Sequence, residues 1–407
     1  MQLSNRLNAI EASPTLGLTA LANKLKSEGK DVVGFGAGEP DFDTPDYIKE
    51  ATIAALKEGK TKYTPVLGVE ALRKAVTEFI KRDILLDYNA ADVVICSGGK
   101  QVLYNIFMSI VNPGDEVIIP GPYWVSYKDM VMLSEGKPVI VNTSFESGFK
   151  MTTDQLQSAI TAKTRAVIIN SPSNPTGVVY SRDELKSFAN ILEKYPDIWI
   201  ITDDIYAKLI YDDNEFFNLA MLGEKLRDRV IIADSFSKAF SMTGWRLGYA
   251  VTKNPGLVAA LEKIQGQSTS NATSFVQYGA IAALKGDLSF VDKMRDAFQE
   301  RRDFIVKTLS MMPGIKVHNP GGAFYVFPDI SGLVQKPRFI SLMEKYKEKT
   351  SYSKAFSSAL LGEKLVAMVP GIAFGYDMGM RISYAISMEQ IKKGMERVAE
   401  FVDICQG

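Results

Sequence analysis

The stretch 235–248 holds the most reactive group of residues in the chain: one lysine among several hydroxyl side chains, followed by an arginine. Lys238 could form an imine with an aldehyde. The hydroxyls of Ser235 and Ser237, together with the guanidinium of Arg246, could hold a phosphate dianion. Because the run follows an apolar, strand-like segment, these groups would stand together at a strand end. An aldehyde and a phosphate on one ligand describe pyridoxal phosphate (PLP), the cofactor that withdraws electrons from amino acids.

A second polar group follows the apolar run 199–202, namely Asp203 and, three positions later, Tyr206. A pyridine ring must stay protonated to take up electrons, and a buried carboxylate beside its nitrogen would secure that. The phenol of Tyr206 could donate a hydrogen bond to a ring oxygen. The same residues could also simply end a strand and cap a helix, with Asp204 as the alternative cap.

Further candidates stand where strands end or loops turn. Gly98 and Gly99 open a helix after a strand, where backbone N–H groups bind phosphate, although an ordinary glycine turn has the same sequence. Asn174 lies in a loop with a proline on either side, which gives either a stiff platform for its amide or only a turn. Arg381 could clamp a carboxylate with its planar fork, or form an exposed ion pair.

Two segments of the chain resemble nucleotide-binding motifs, but each lacks a part that its motif requires. The glycines of 34–38 resemble a dinucleotide fingerprint, yet Pro40 and Pro45 stand where its helix should run. Residues 59–61 resemble the end of a phosphate loop, but Ala54 replaces the glycine that this loop requires. NAD binding and phosphate-loop ATP chemistry are therefore disfavoured.

Composition argues against several other classes of function. The chain has 407 residues, 46% of them hydrophobic and 23% charged, enough for two domains or one large one. Forty-seven basic residues balance forty-seven acidic ones, so neither nucleic acid nor a membrane is expected as a partner. Cys96 and Cys405 form no CxxC pair, and His318, the only histidine, is expected to serve packing, so no metal site is predicted. Free cysteines without a signal-peptide block favour the cytoplasm.

Seven short apolar runs predict the strands of a mainly parallel sheet. They are β-branched and continuous rather than alternating, as expected for strands that helices cover on both faces. Helix-like stretches lie between several of them, including 101–111 and 183–194, the latter preceded by Ser181 as its cap. This is an α/β pattern. The seven runs are 93–96, 116–119, 138–141, 166–169, 199–202, 230–233 and 248–251.

The two ends of the chain have a different pattern and are predicted to form one smaller α+β domain. Residues 1–45 contain a helix-like segment at 19–26 and a loop rich in glycine and proline. Residues 299–407 mix long helices with short strands. The large domain is then 46–298. Residues 334–358, which are charged and polar, are interpreted as a mobile insertion that precedes Arg381 and alters the substrate lid.

Several motifs occur in one order along the chain: AGEPDFDTP at 37–45, KYTP at 62–65, PYW at 122–124, NPTG at 174–177, Asp203 with Tyr206, SFSK at 235–238 and GWR at 244–246. With these motifs the chain resembles the PLP-dependent aminotransferases of class I, and among them the bacterial aspartate aminotransferases. The resemblance extends from about residue 5 to the C-terminus. It implies fold type I: a large PLP-binding domain with a mainly parallel seven-stranded sheet between helices, beside the smaller domain.

The resemblance implies a role for each matching residue. Lys238 would carry the cofactor as a Schiff base and move protons, and Asp203 would pair with the pyridinium nitrogen. Tyr206 and Asn174 would bind the ring hydroxyl oxygen, while Trp124 would stack on the ring. Lys238, Asp203 and Tyr206 are thus the predicted catalytic residues, and Trp124 and Asn174 would also face the substrate.

The resemblance assigns the remaining site residues as well. Arg381 would take the α-carboxylate of the substrate, with Gly38 nearby, and Lys100 would receive a distal carboxylate. Tyr63 would reach across a dimer interface to the phosphate in the neighbouring subunit. The phosphate would also be held by Ser235, Ser237, Arg246 and the Gly98–Gly99 backbone.

The activity that the resemblance implies is a ping-pong amino transfer from an L-amino acid, with aspartate favoured, to 2-oxoglutarate, in a homodimer with shared active sites. An aromatic, alanine or prephenate aminotransferase, or a lyase, stays open on the same fold, as does a regulator that binds PLP without turnover. Some relatives place a histidine behind the pyridinium aspartate. Since His318 lies outside the matching segment, the residues behind Asp203 must differ here.

Overall fold

A computed structural model describes residues 4–10 and 14–407 of the chain. Residues 1–3 and 11–13, which belong to the predicted small domain, lie outside the described part. The strands are β1 (Val33–Gly34), β2 (Val93–Cys96), β3 (Glu116–Pro120), β4 (Lys137–Val141), β5 (Thr164–Asn170), β6 (Trp199–Asp203), β7 (Val230–Ser235), β8 (Gly248–Val251), β9 (Tyr325–Val326), β10 (Val366–Ala367), β11 (Val369–Pro370) and β12 (Met380–Ser383). The helices are α1 (Pro14–Ser27), α2 (Asp46–Lys57), α3 (Glu70–Ile84), α4 (Gly99–Ile110), α5 (Ser126–Leu133), α6 (Thr153–Ala159), α7 (Arg182–Leu192), α8 (Leu219–Leu222), α9 (Pro255–Gly266), α10 (Ser274–Lys285), α11 (Ser289–Ser310), α12 (Pro337–Lys345), α13 (Tyr352–Lys364) and α14 (Met388–Gln406).

The seven predicted apolar runs all form strands, and they make one sheet in the order β2-β8-β7-β6-β5-β3-β4. The pairs from β7 to β4 are parallel, and only β8 runs antiparallel to its neighbours β2 and β7. The predicted α/β fold with a mainly parallel sheet is confirmed. The carboxyl ends of β5, β6 and β7 meet at one edge, where ligands bind in open parallel sheets.

Both faces of this sheet are buried, which explains why its strands are apolar without alternation. Val93 and Ile95 pack into the core beneath α2, α3, α7 and α10, whereas Val94 and Cys96 pack into the core beneath α4, α5 and α9. Successive side chains of a strand point to opposite faces, so each face needs its own apolar set. The cap predicted for α7 is present, since Ser181 accepts a hydrogen bond from the Glu184 backbone N–H.

A further apolar core combines residues from both ends of the chain. It contains Val33 and Phe35 together with side chains of α11, α12, α13 and α14. A three-stranded antiparallel sheet, β11-β12-β9, and the short parallel pair β1-β10 belong to the same region. This agrees with an α+β unit built from both ends. The proposed boundary after residue 298 falls inside the continuous helix α11, and the boundaries themselves stay a prediction.

The interpretation of residues 334–358 as a mobile insertion was wrong. These residues form α12 and the first half of α13. Phe339 and Phe356 are almost fully buried and contribute to the core of the smaller region. The many charged residues lie on the outer faces of these helices, which is why composition concealed an amphipathic pattern. None of the helices in the described part of the chain combines the length and the apolar character that a membrane crossing requires.

Candidate active site

A cavity of ≈ 470 Å³ lies at the carboxyl ends of β5, β6 and β7, beside the first turn of α4. Segment 36–39 and residues of β9 and β12 complete its wall. Most of the predicted site residues line it: Gly38, Gly99, Lys100, Trp124, Asn174, Asp203, Tyr206, Ser237, Lys238, Arg246 and Arg381. Residues that are more than 300 positions apart in the sequence therefore meet around one space.

Three predicted residues do not line this cavity directly. Gly98 lies behind Gly99 as the residue that caps α4, and Ser235 lies beside Gly99 at the end of β7. Tyr63 is 90% exposed and contributes nothing to the cavity of its own chain. His318 stacks on the Phe145 ring, outside the cavity, as expected for a packing residue.

Lys238 projects into the cavity from the turn that follows β7. Its Nζ donates a hydrogen bond of 2.5 Å to the carbonyl oxygen of Gly38. Burial lowers the pKa of Lys238 to about 8, although the negative charge of Glu39 acts in the opposite direction. A lysine with this pKa is neutral far more often at physiological pH than a lysine in water, so it is suited to act as a nucleophile or a base.

Asp203 is the last residue of β6 and is buried against the cavity. Its carboxylate accepts a hydrogen bond of 2.5 Å from the Tyr127 hydroxyl. Burial raises the pKa of Asp203 to about 6, and the bond from Tyr127 only partly opposes this effect. Such a carboxylate is stabilised by a cation that arrives in the cavity. The alternative role of Asp203 as a plain helix cap is not seen, because no regular helix begins there.

Arg381 presents its guanidinium to the cavity from β12 and is 3% exposed. It donates hydrogen bonds to Asn174 Oδ1 at 3.1 Å and to the carbonyl oxygen of Gly36 at 2.9 Å. The rings of Tyr325 and Phe374 lie 4.6 and 5.0 Å from its Cζ atom. Its Nε atom is buried and has no partner. Because neither hydrogen bond goes to a carboxylate, the guanidinium retains the capacity to bind an anion.

The start of α4 faces Arg246 in a close approach that only glycine permits. Gly98 has a φ of +95°, and a Cβ there would lie 2.7 Å from an Arg246 guanidinium nitrogen. A Cβ at Gly99 would lie 3.3 Å from Cβ of Ser235. Backbone N–H groups, a guanidinium and a hydroxyl thus converge at one end of the cavity. This combination fits a phosphate group.

Lys100 lies in the first turn of α4. Its Nζ donates a hydrogen bond of 3.0 Å to Ser126 and lies 5.1 Å from the ring centroid of Trp124. Burial lowers the pKa of Lys100, and the charge of Arg246 acts in the same direction. The contact with Trp124 is a cation–π interaction, which leaves the ammonium group available to an incoming carboxylate.

Sequence reasoning missed several residues of the site, among them Tyr127, Tyr325, Glu39 and Thr243. Tyr127 stands behind Asp203 and donates its hydroxyl hydrogen to that carboxylate, and the hydroxyl of Tyr325 lies 3.0 Å from the hydroxyl of Tyr206. Glu39 and Thr243 line the cavity and share a hydrogen bond of 2.7 Å. Tyr127 follows the PYW motif by three positions, and Tyr325 lies in an apolar strand. In the sequence, both tyrosines resemble ordinary core residues, so no pattern indicated that they belong to the site.

Comparison with known proteins agrees with this geometry. The family described as aminotransferase class I and II matches residues 30–398. The chain belongs to this family. It is 46% identical over 399 residues to an aspartate/prephenate aminotransferase of Cereibacter sphaeroides, with 98% of each chain covered. It is also 46% identical to an aspartate aminotransferase of a Bacillus species, over 98% of this chain and 99% of that one.

A solved structure matches the aminotransferase over its whole length. The aspartate aminotransferase of Rhizobium meliloti superposes with a TM-score of 0.93 at 39% identity, covering 99% of both chains. The fold is therefore that of the fold-type-I enzymes. Enzymes of this family are generally PLP-dependent and act on amino acids and keto acids. The phosphate-binding end, the buried carboxylate and the lysine of this cavity fit that cofactor.

Proposed function

We propose that this aminotransferase binds PLP on Lys238 and moves the amino group of an L-amino acid, with aspartate as the favoured donor, to 2-oxoglutarate by a ping-pong mechanism. The observation that carries the proposal is the convergence of Lys238, Asp203 and Arg381 on one cavity. This chemistry needs three groups: an amine with a lowered pKa, a buried carboxylate, and a guanidinium whose hydrogen bonds do not go to a carboxylate. The names of the similar enzymes support aspartate as the donor.

Each residue of the cavity has a separate role in the proposed reaction. When bound, PLP supplies an aldehyde that joins amines and a ring that withdraws electrons. Lys238 could move a proton between the α-carbon of the donor and the former aldehyde carbon of the cofactor, for which a pKa near the working pH is favourable. Asp203 would hold a proton on the ring nitrogen of the cofactor, and Tyr127 keeps the Asp203 carboxylate oriented. Tyr206 and Asn174 donate to the ring oxygen.

Different parts of the cavity would hold the phosphate of the cofactor and the α-carboxylate of the substrate. At one end, Arg246, the hydroxyls of Ser235 and Ser237 and the first N–H groups of α4 anchor the phosphate. In the substrate region, Arg381 binds the α-carboxylate through its planar fork. Trp124 would stack on the cofactor ring, and Gly38 leaves room for the substrate beside Tyr325.

The assignment of Lys238 is tested by the visible spectrum of the purified enzyme. Wild type is expected to show the absorption band of a cofactor joined to a lysine, and Lys238→Ala should bind PLP without forming that band. Lys57→Ala, which changes a lysine in the last turn of α2, serves as the control and should keep the band. A Lys238→Ala protein with the wild-type band would overturn the proposal.

Lys100 is proposed to bind the distal carboxylate of aspartate. Replacing Lys100 with alanine removes this charge, so KM for aspartate should rise by about 10-fold to 100-fold while KM for alanine changes little. Lys128→Ala, on the exposed side of α5, is the matched control. Steady-state kinetics with both donors measures the effect, and equal changes for aspartate and alanine would remove the argument for a dicarboxylate substrate.

Prephenate is the second candidate substrate, because the similar enzyme of Cereibacter sphaeroides is named for both activities. Prephenate is a keto acid with two carboxylates, so Arg381 and Lys100 could bind it in the same way. A panel of donors and acceptors separates aspartate, aromatic amino acids, alanine and prephenate. A PLP-binding regulator would transfer amino groups from none of them.

We further infer that the enzyme is a homodimer in which Tyr63 serves the phosphate site of the neighbouring subunit. The support is the 90% exposure of this tyrosine together with its place in the KYTP motif. A cytoplasmic location is proposed from the two cysteines, which are both buried and free.

A further inference from the structure

Tyr325 connects two parts of the site that come from distant segments of the chain. It lies on β9, is 1% exposed, and pairs with Ser383 of β12. Its hydroxyl lies 3.0 Å from the hydroxyl of Tyr206, while its ring lies 4.6 Å from the guanidinium carbon of Arg381. One side chain therefore touches both the proposed donor to the ring oxygen and the proposed carboxylate ligand.

Only one of the two phenol hydrogens can lie between the oxygens of Tyr206 and Tyr325, and either hydroxyl could supply it. Burial raises the pKa of both Tyr206 and Tyr325, so each keeps its own hydrogen at neutral pH. If Tyr206 donated to Tyr325, it would have no hydrogen left for a group in the cavity. Donation from Tyr325 to Tyr206 leaves the Tyr206 hydrogen free to point into the cavity. The positive charge of Arg381 over the Tyr325 ring favours this direction, because it makes the Tyr325 hydroxyl a stronger donor.

We propose that Tyr325 is a positioning residue for amino transfer: its hydroxyl donates to Tyr206 and directs the Tyr206 hydrogen to the cofactor, while its ring supports Arg381. The inference rests on the proposed function. Different parts of the Tyr325 side chain have different roles: the hydroxyl acts on the cofactor through Tyr206, and the ring acts on the substrate carboxylate through Arg381. Removing the hydroxyl alone should shift the pH midpoint of the cofactor's visible band. Removing the ring as well should also weaken binding of the substrate carboxylate.

The first test uses Tyr325→Phe, which removes only the hydroxyl. A hydrogen bond from Tyr206 stabilises negative charge on the ring oxygen, and that charge is largest when the nitrogen joining Lys238 to the cofactor is unprotonated. A weaker bond should therefore raise the pH midpoint of the visible band of the loaded enzyme by roughly half a unit. KM for aspartate should stay within about twofold, because the phenyl ring still packs against Arg381. An unchanged midpoint would overturn the proposal.

A double-mutant cycle shows whether Tyr325 acts through Tyr206. Tyr206→Phe should raise the midpoint by more than Tyr325→Phe does, and adding Tyr325→Phe to Tyr206→Phe should move it no further. Additive shifts would mean that Tyr325 acts by another route. Tyr211→Phe is the matched control, since Tyr211 is equally buried and donates its hydrogen bond to the Ala323 carbonyl, outside the cavity. It should leave the midpoint unchanged.

The second test uses Tyr325→Met, which keeps an apolar side chain but removes both hydroxyl and ring. It should raise the midpoint as Tyr325→Phe does and should also raise KM for aspartate by about fivefold to tenfold. An unchanged midpoint in this variant refutes the hydroxyl role even if Tyr325→Phe does not fold. Melting of the cofactor-free proteins verifies folding. Wild type without any lysine-linked band would refute the proposed function, whereas a wild-type band that no Tyr325 variant shifts refutes only this inference.

The charged groups that act on Lys238 are all retained as residues in these variants, and Tyr325→Phe also keeps the ring that supports Arg381. These groups are Glu39, Arg381, Arg246 and Asp203. A change in the midpoint of Tyr325→Phe can therefore be attributed to the phenol pair and not to a lost or displaced charge.

Discussion

Lys238 shows how a single side chain acquires its reactivity from its surroundings. Its pKa is lowered from 10.5 to about 8 by burial in a cavity that also contains Arg381 and Arg246. Only the neutral amine attacks an aldehyde, so the rate of PLP attachment to the cofactor-free enzyme should rise with pH and level off above about pH 8. Stopped-flow absorbance after mixing with PLP measures this rate at each pH.

Nα-acetyl-lysine mixed with PLP provides the comparison for that measurement. Its amine has an ordinary pKa, so the rate for this compound should keep rising to about pH 10. If the rate for the enzyme also rose without levelling off through pH 9.5, Lys238 would not have the lowered pKa that its burial implies.

At the scale of secondary structure, the site depends on how α4 begins. Gly98 has a φ of +95°, and an added Cβ would meet the Arg246 guanidinium at 2.7 Å. The flexible arginine can move away, but it then leaves the proposed phosphate site. Gly98→Ala is therefore expected to weaken PLP binding by about tenfold or more, because a charge-assisted contact is lost and the left-handed backbone is strained. Titration of the cofactor-free enzyme with PLP measures the affinity.

Gly114→Ala separates backbone strain from the loss of the contact. Gly114 has a φ of +85°, but an added Cβ there would meet nothing within 4 Å. This variant should lower the free energy of unfolding by about 1–2 kcal/mol and leave PLP affinity unchanged. Equal losses of affinity in Gly98→Ala and Gly114→Ala would show that the approach to Arg246 is not what matters.

At the scale of the whole molecule, the proposed homodimer assigns Tyr63 to the phosphate site of the neighbouring subunit. If Tyr63 serves the neighbouring subunit, a dimer of one Tyr63→Ala chain and one Lys238→Ala chain contains one complete site. That site combines the intact Lys238 of the first chain with the intact Tyr63 of the second. Mixed dimers, purified with two different tags, should then have about half the activity of the wild-type dimer. Activity no higher than the sum of the two separate homodimers would contradict a shared site.

The strands and the residues at their ends could be predicted from the sequence because the signals are local. Runs such as 230–233 are β-branched and flanked by polar residues, which indicates a strand buried on both faces wherever it lies in the fold. Polar residues at the ends of such strands, such as Asp203, must then meet at one edge of the sheet. Residues 334–358 were misjudged because the apolar residues of α12 and α13 are separated in sequence by polar and charged residues, and they come together on one face only when the helices form.

By itself, the sequence determined the α/β sheet and the set of reactive side chains, since both follow from short patterns of apolar and polar residues. Only the tertiary structure decided which of these side chains touch and what their pKa values are. Tyr206 and Tyr325 are 119 positions apart, yet their hydroxyls lie within hydrogen-bond distance. Tyr127, on α5, reaches Asp203 at the end of β6. Such contacts depend on how separate segments pack, and burial shifts a pKa only after that packing has excluded water.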